Sequence, residues 1–245
     1  MRAIGGLVTL LLVLGSATVG RAEDGRDRDP WERFNRAMFS VNDTLDRWVL
    51  EPVAKGYDKV MPDPLEECVG NFFHNLRVPI NGVNDLLQGK PVDSVSDVGR
   101  FAVNTTIGLA GFLDPATYFG LVRHDEDFGQ TLGVWGLGTG PYLVIPLFGA
   151  STVRDAGGLA VDAALTPTWY FIDAVYTVGA RAVETVNTRA RYLEDVKRAR
   201  EASFDFYSFV RNAYLQRREA MVRDTAEPRE SDDSIYYPEE PAPAR

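Results

Sequence analysis

The stretch DPWERFNRAMFSVNDTLDRW, residues 29–48, decides how the fold is read. Asp29 can cap a helix, Pro30 suits its first turn, and Glu32 stands three residues after the cap, in capping-box position. Trp31, Phe34, Met38, Val41, Leu45 and Trp48 then alternate at three and four spacing, which makes one apolar stripe along an α-helix. Arg33, Arg36, Asp43 and Asp46 lie off that stripe. Such a stripe ordinarily faces a core. The alternative is a membrane interface, where tryptophan is favoured.

Downstream, Pro52, Pro62 and Pro64 predict a series of short helices. Residues 65–87 keep a helical pattern, with Pro79 as a break or kink. Gly89 and Pro91 stop that helix and start another. The new helix carries Val92, Val95, Val98, Phe101 and Ala102 on one face, and Ser94, Asp97 and Arg100 on the other. Gly108, Gly111, Asp114 and Pro115 mark a turn-rich stretch.

The segment FGQTLGVWGLGTGPYLVIPLFG, residues 128–149, combines repeated glycine with bulky apolar residues and almost no charge. Its glycines make a long helix costly. Pro141 and Pro146 exclude a central strand, and residues 142–145 are the best, short, strand candidate. A loop this apolar is either buried or faces something apolar. Glycine would let it change shape, while Trp135, Leu137, Tyr142, Leu143 and Val144 would offer acyl chains an apolar wall.

After it, Ser151 or Thr152 caps a helix of small residues, including Ala156, Gly157 and Gly158, that permit close backbone approach. Pro167 opens a longer helical stretch whose Arg- and Glu-rich latter half is expected to project into water. A last helix runs from about residue 203 to 222, with Tyr207, Val210 and Tyr214 on one side. The fold class is therefore all-α, with an apolar Gly-rich hairpin loop inserted. Three regions are expected: a signal peptide at 1–22, a helical domain at 23–223, and an acidic, Pro-rich, disordered tail at 224–245.

The signal reading rests on Arg2, the apolar run from Leu7 to Leu14, and small residues at Gly20 and Ala22 before Glu23. That run is well short of the roughly 20 residues a bilayer span needs. A formal net charge of -9 argues against nucleic acid and against electrostatic docking on anionic headgroups. A membrane role would have to rest on apolar contact.

Chemistry is sparse. No G-x-S-x-G elbow and no P-loop occur. Gly136, Gly138 and Gly140 lack the flanking strand and acidic residue of a dinucleotide site. Cys68, the single cysteine, reads as a half-buried inert thiol, and His74 as a helix-face residue with a satisfied hydrogen bond. The run His124, Asp125, Glu126 and Asp127 reads as a solvated loop rather than a metal site. No enzyme, cofactor or metal is expected. A lipid hydrolase has no triad to nominate, and a periplasmic structural scaffold is the main alternative function.

Several motifs carry a resemblance. Asp29 to Asp43, the segment RFAVNTTIGLAGFLDPA at 100–116, the glycine-rich segment and STVRDAGG at 151–158 are similar, in order, to the MlaA/VacJ family. The likeness covers nearly all of the chain from Asp29 to Tyr214. It implies a ring-like, multi-helix, non-enzymatic protein held in the outer membrane from the periplasmic side. Through the ring, misplaced phospholipid leaves the outer leaflet for a soluble periplasmic lipid carrier, which maintains lipid asymmetry. A trimeric outer-membrane porin is the implied partner. The family's flexible hairpin maps onto Gly136, Gly138, Gly140 and Pro141, so Phe128, Leu132, Trp135 and Tyr142 become candidate channel residues beside them. Its N-terminal signature maps onto Phe34, Asn35, Arg36 and Asn42. Two departures stand out. Asp43 replaces an often aromatic residue, and the signal region has Leu14-Gly15-Ser16 where a lipobox would need cysteine, so no acyl anchor is expected.

Overall fold

Helix α1 (Glu32–Leu45) runs without a break through a π-helical turn (Asp46–Leu50) into α2 (Glu51–Val60). Pro52 therefore does not end a helix here. The wider turn just before it puts the ring in the first turn of α2, where its missing N–H costs nothing. Pro62 does interrupt: it is extended and precedes α3 (Asp63–Leu87). That helix continues through Pro79, because its packing against α4 (Pro91–Thr106) and α8 (Ala174–Arg191) outweighs one lost backbone bond. This computed structural model describes residues 29–166, 170 and 172–224. The signal reading, Pro167 and the tail beyond Asp224 lie outside the described residues.

Gly89, at φ 80°, turns the chain between α3 and α4. The two helices are antiparallel: Asn75 Nδ2 donates to Thr105 Oγ1 near one end, and Ser94 Oγ donates to the Gly82 carbonyl near the other. After α5 (Pro115–Tyr118) come α6 (Phe128–Val134), the hairpin strands β1 (Tyr142–Ile145) and β2 (Gly149–Thr152), and α7 (Val153–Leu165). Thr152 caps α7, accepting from the Asp155 N–H at 3.2 Å. The chain ends in α8, α9 (Leu193–Ala202) and α10 (Phe206–Val222). The glycine-rich segment is thus only partly loop, since its first seven residues form α6.

The packing closes into a circuit. α2 lies on α8, α8 on α3, α3 on α6, and α6 on α7. β2 joins α7 to β1, β1 rests on α1, and the π turn returns to α2. This is a ring-like, all-α arrangement with one two-stranded antiparallel sheet set into it.

Its interior is polar. Among the described residues, buried polar and charged side chains outnumber buried apolar ones. An apolar cluster joins Tyr142 and Val144 of β1 to Tyr207 and Leu215 of α10. On α4 the buried residues are Ser94, Asp97, Arg100 and Asn104, while Val92 is 79% exposed and Val95 and Val98 also face outward. On α1 the buried residue is Asn35, and the stripe of Trp31, Phe34, Val41, Leu45 and Trp48 is exposed. The ordinary core reading of that stripe fails for these five residues and holds for Met38, which packs against the apolar cluster. Helices α1 and α4 are turned inside out relative to a protein in water, so their bare apolar surface requires an apolar cover. No helix among the described residues is long and apolar enough to cross a membrane.

The latter half of α8 meets water on one face only, and its other face is packed. Asn187 and Ala190 are buried, Tyr57 Oη donates to Asn187 Oδ1, and Arg189 pairs with Asp46 at 2.7 Å.

Candidate functional site

Asn35 and Asn42 stand two turns apart on α1, so their side chains leave the same face of the helix. Both reach β1. Asn35 Nδ2 donates to the Tyr142 carbonyl at 2.9 Å, and Asn35 Oδ1 accepts from the Val144 N–H at 2.9 Å. One turn of strand further on, Asn42 Nδ2 donates to the Ile145 carbonyl and Asn42 Oδ1 accepts from the Leu147 N–H. The two amides act as a substitute strand. They satisfy the edge of β1 that β2 does not pair.

The clamp is itself anchored. Asp29 does not cap α1, whose start carries no side-chain cap bond. Its carboxylate is buried and accepts from Asn35 Nδ2, Tyr207 Oη and Arg211. Asn35 from within α1 and two donors from α10 together outcompete the local cap. Arg36 grips Asp205 through both terminal nitrogens and lies 4.4 Å from the centre of the Tyr207 ring. Phe34 is exposed and joins the outer apolar face.

The Gly-rich connection runs from α6 to β1. Asp127 caps α6 by accepting from the Gln130 N–H, and the Phe128 N–H donates to Asp162 Oδ2 at 2.9 Å. Leu132 is half-buried, whereas Trp135 is exposed and donates from Nε1 to the Leu87 carbonyl. Phe128 meets Trp135 edge to face, with ring centres 6.0 Å apart. Gly136 and Gly140 sit at φ 92° and 67°, a conformation glycine alone takes freely, and an added side chain at Gly138 would meet open space. Pro141 is half-buried. Tyr142 belongs to the apolar cluster, and burial pushes its phenol up to about 12.

A separate cavity of about 530 Å³ opens between α3, α7 and α8, within the size range of ligand pockets. Phe72, Phe73, Leu76, Ile80, Leu159 and Ala163 give it an apolar wall. At one mouth Arg77 and Arg181 share the single carboxylate of Glu184, which leaves net positive charge there. Glu126, Asp127 and Asp162 lie at its polar end. Of the candidate channel residues, none lines this cavity; Phe128 is next to Asp127, which does. The cavity residues were not singled out by the sequence, because they come from three helices far apart in the chain.

The polar run at 124–127 is not a solvated loop. Its members are half-buried. Glu126 accepts from Gln88 and Lys90, and burial pushes its carboxyl up. Arg218, buried beneath, donates to Asp127 at 2.6 Å and to Asp155 at 2.9 Å. Burial would raise the Asp155 carboxyl, but the Arg218 guanidinium and the Tyr214 hydroxyl hold it below the usual carboxylate range.

Comparison with known proteins fits this geometry. A family model described as MlaA lipoprotein matches residues 27–221. The "Intermembrane phospholipid transport system lipoprotein MlaA" of Haemophilus influenzae is 34% identical over 223 residues, covering 89% of each chain. The protein of the same name from Escherichia coli is 37% identical over 215 residues, covering 86% of this chain and 84% of its own. A solved structure concerned with the structural basis for maintenance of bacterial outer membrane lipid asymmetry superposes with a TM-score of 0.71 at 37% identity. It covers 79% of this chain and 98% of that one. The word lipoprotein in these names runs against the expectation of an unacylated chain.

Proposed function

This chain belongs to the MlaA lipoprotein family, and from that premise we propose that it is a phospholipid-passage component rather than an enzyme. It takes mislocalised phospholipid from the outer leaflet of the outer membrane and hands it to a soluble periplasmic carrier. The observation that carries this reading is the cavity between α3, α7 and α8. It pairs an apolar wall, suited to acyl chains, with two guanidiniums at the mouth, suited to a phosphodiester. The outward valines of α4, and Trp31 and Trp48 at the two ends of α1, supply the apolar contact with lipid that a net charge of -9 makes necessary. They also offer a surface for a trimeric porin.

The test fills the cavity. Ala163→Trp should leave the protein folded and lower the phospholipid that co-purifies with it in mild detergent by about tenfold, read by lipid mass spectrometry against the unchanged chain. Equal phospholipid in the two would overturn the cavity as the passage. A lipid-free, detergent-independent species would favour a periplasmic scaffold. Intact mass of the same preparation reads the anchor, a diacylglyceryl addition marking an acylated chain.

The hairpin approach around Trp135, Gly136, Gly138 and Gly140 is proposed as the movable part. Gly136→Leu would add strain of about 1–2 kcal/mol, since its φ is positive. Gly138→Leu is the cleaner probe, because open space surrounds the position. It should change stability by less than about 0.5 kcal/mol yet leave outer-leaflet phospholipid accumulated in cells. A normal leaflet composition in the Gly138→Leu strain would remove the hinge role.

A further inference from the structure

Three side chains from three segments meet behind the α3–α4 hairpin. Asp85 lies on the last turn of α3, Asp97 in the middle of α4, and His124 on the loop that leads to α6. One ligand atom from each lies within 4.8 Å of the others. Asp85 and Asp97 are each 1% exposed. Both carboxylate oxygens of Asp85 lack any hydrogen-bond partner, as does Oδ2 of Asp97. The remaining oxygen, Oδ1 of Asp97, is 3.1 Å from His124 Nδ1.

Unpaired buried carboxylates are among the costliest groups a fold can hold. The surroundings add more negative charge than they relieve, since His124 stands against Asp97, Asp93 and Glu126 around Asp85. Asp93 lies 3.9 Å from the far nitrogen of His124, and Glu126 is a further anion. Lys90 is committed to Glu126 and Asp224. Asn81 adds no donor, because its amide goes to the His124 carbonyl and fixes the loop instead.

We infer that Asp85, Asp97 and His124 form a binding site for a divalent transition-metal ion of the Zn²⁺ class. Two carboxylate oxygens and one imidazole nitrogen make a three-ligand set that Zn²⁺ completes with water, and the mixed donors suit Zn²⁺ or Mn²⁺. Ca²⁺ asks for six to eight oxygens, more than this cluster presents. The ion's role is structural. It ties the α3–α4 hairpin to the segment feeding α6, and it supplies the positive charge the buried pair lacks. This site was not legible in the run at 124–127, since only His124 of that run takes part and both carboxylates come from helices upstream. The inference does not depend on the transport reading.

The experiment uses the full protein in detergent, stripped with a chelator and titrated with Zn²⁺ by calorimetry, with Tm followed in parallel. The expected result is one Zn²⁺ per chain and a rise in Tm. Loss of a supporting group around a metal already weakens binding by about 10–100-fold, so Asp85→Asn should weaken it by more than about 100-fold. His124→Gln is the second variant, in case Asp85→Asn does not fold. Absence of stoichiometric Zn²⁺ binding by the unchanged chain would overturn the site. So would unaltered affinity in a folded variant. If Zn²⁺ fails to bind while Asp85→Asn raises Tm, Asp85 is carrying a proton and the metal assignment is wrong.

Discussion

Replacing Asn35 with leucine should destabilise the protein by about 3–5 kcal/mol, a loss few single substitutions reach. The side chains share a branched outline, but leucine's methyls would stand where atoms now lie 2.8–2.9 Å from Asp29, Tyr142 and Val144, so crowding adds to the loss. What changes is hydrogen bonding in a dry place. The Val144 N–H and the Tyr142 carbonyl lose their partner, and Asp29 loses one of its donors. Tyr142 is 0% exposed and Val144 1%, so water cannot replace the amide. An unsatisfied buried group costs roughly 1–3 kcal/mol, and this substitution leaves more than one. Asn42→Leu should cost less, about 1 kcal/mol, because Leu147 at its end of the strand is exposed and solvent can take over. Asn35→Asp is a sharper variant still. It keeps the acceptor for Val144 but removes both donated bonds and sets a carboxylate against Asp29. Thermal or urea unfolding in detergent gives the global cost. Hydrogen exchange at the Val144 amide gives the local one, which should quicken by about 100-fold for 3 kcal/mol. If Asn35→Leu loses under 1 kcal/mol, the amide is not what holds β1 to α1.

The signature helix shows what could and could not be read from residues alone. Periodicity located α1, α4 and α10, since spacing reports which residues share a face. It does not say which face is inside. Val92, Val95 and Val98 alternate with Ser94, Asp97 and Arg100 as they would in a water-soluble protein, yet here the valines are outside. That choice depends on the solvent, and the solvent is not written in the spacing. Local chemistry was legible where it is local: Thr152 caps α7, and Pro141 and Pro146 bracket the short strand β1. It failed where a distant group competes. Asp29 has every mark of a cap, but Tyr207 and Arg211, far along the chain, take its carboxylate. The cavity failed for the same reason in larger form. Phe72, Leu159 and Ala163 look like ordinary helix residues until three helices bring them together.

Adjacent glycines on α7 should respond to alanine with opposite signs. Gly157 has nothing within 4 Å of an added Cβ. There alanine removes the entropic cost of glycine in a helix and should stabilise by about 0.5–1 kcal/mol. At Gly158 the same methyl would lie 2.3 Å from the Gly129 nitrogen and 2.6 Å from its Cα. Those are backbone atoms of α6, and no rotamer can move them aside. The helices must separate, and their crossing is shared with a buried ion network. A Cβ on Gly129 would in turn meet Asp155, Arg218 and Asp127 at 2.8 to 3.0 Å, so the forked guanidinium lies directly over the contact. Displacing α6 therefore strains the bonds from Arg218 to both carboxylates, where loss of one partner costs about 3–5 kcal/mol. Gly158→Ala should fall by 3 kcal/mol or more in denaturant unfolding, while Gly157→Ala rises. Similar effects at the two positions would mean that helix propensity, not the α6–α7 crossing, governs this part of the chain. The crossing also aims the Gly-rich connection, which leaves α6 at Trp135. Any Gly158→Ala protein that remains folded should then misplace that connection and retain less phospholipid than Gly157→Ala, which joins the small-residue pattern of α7 to the mobile part of the proposed passage.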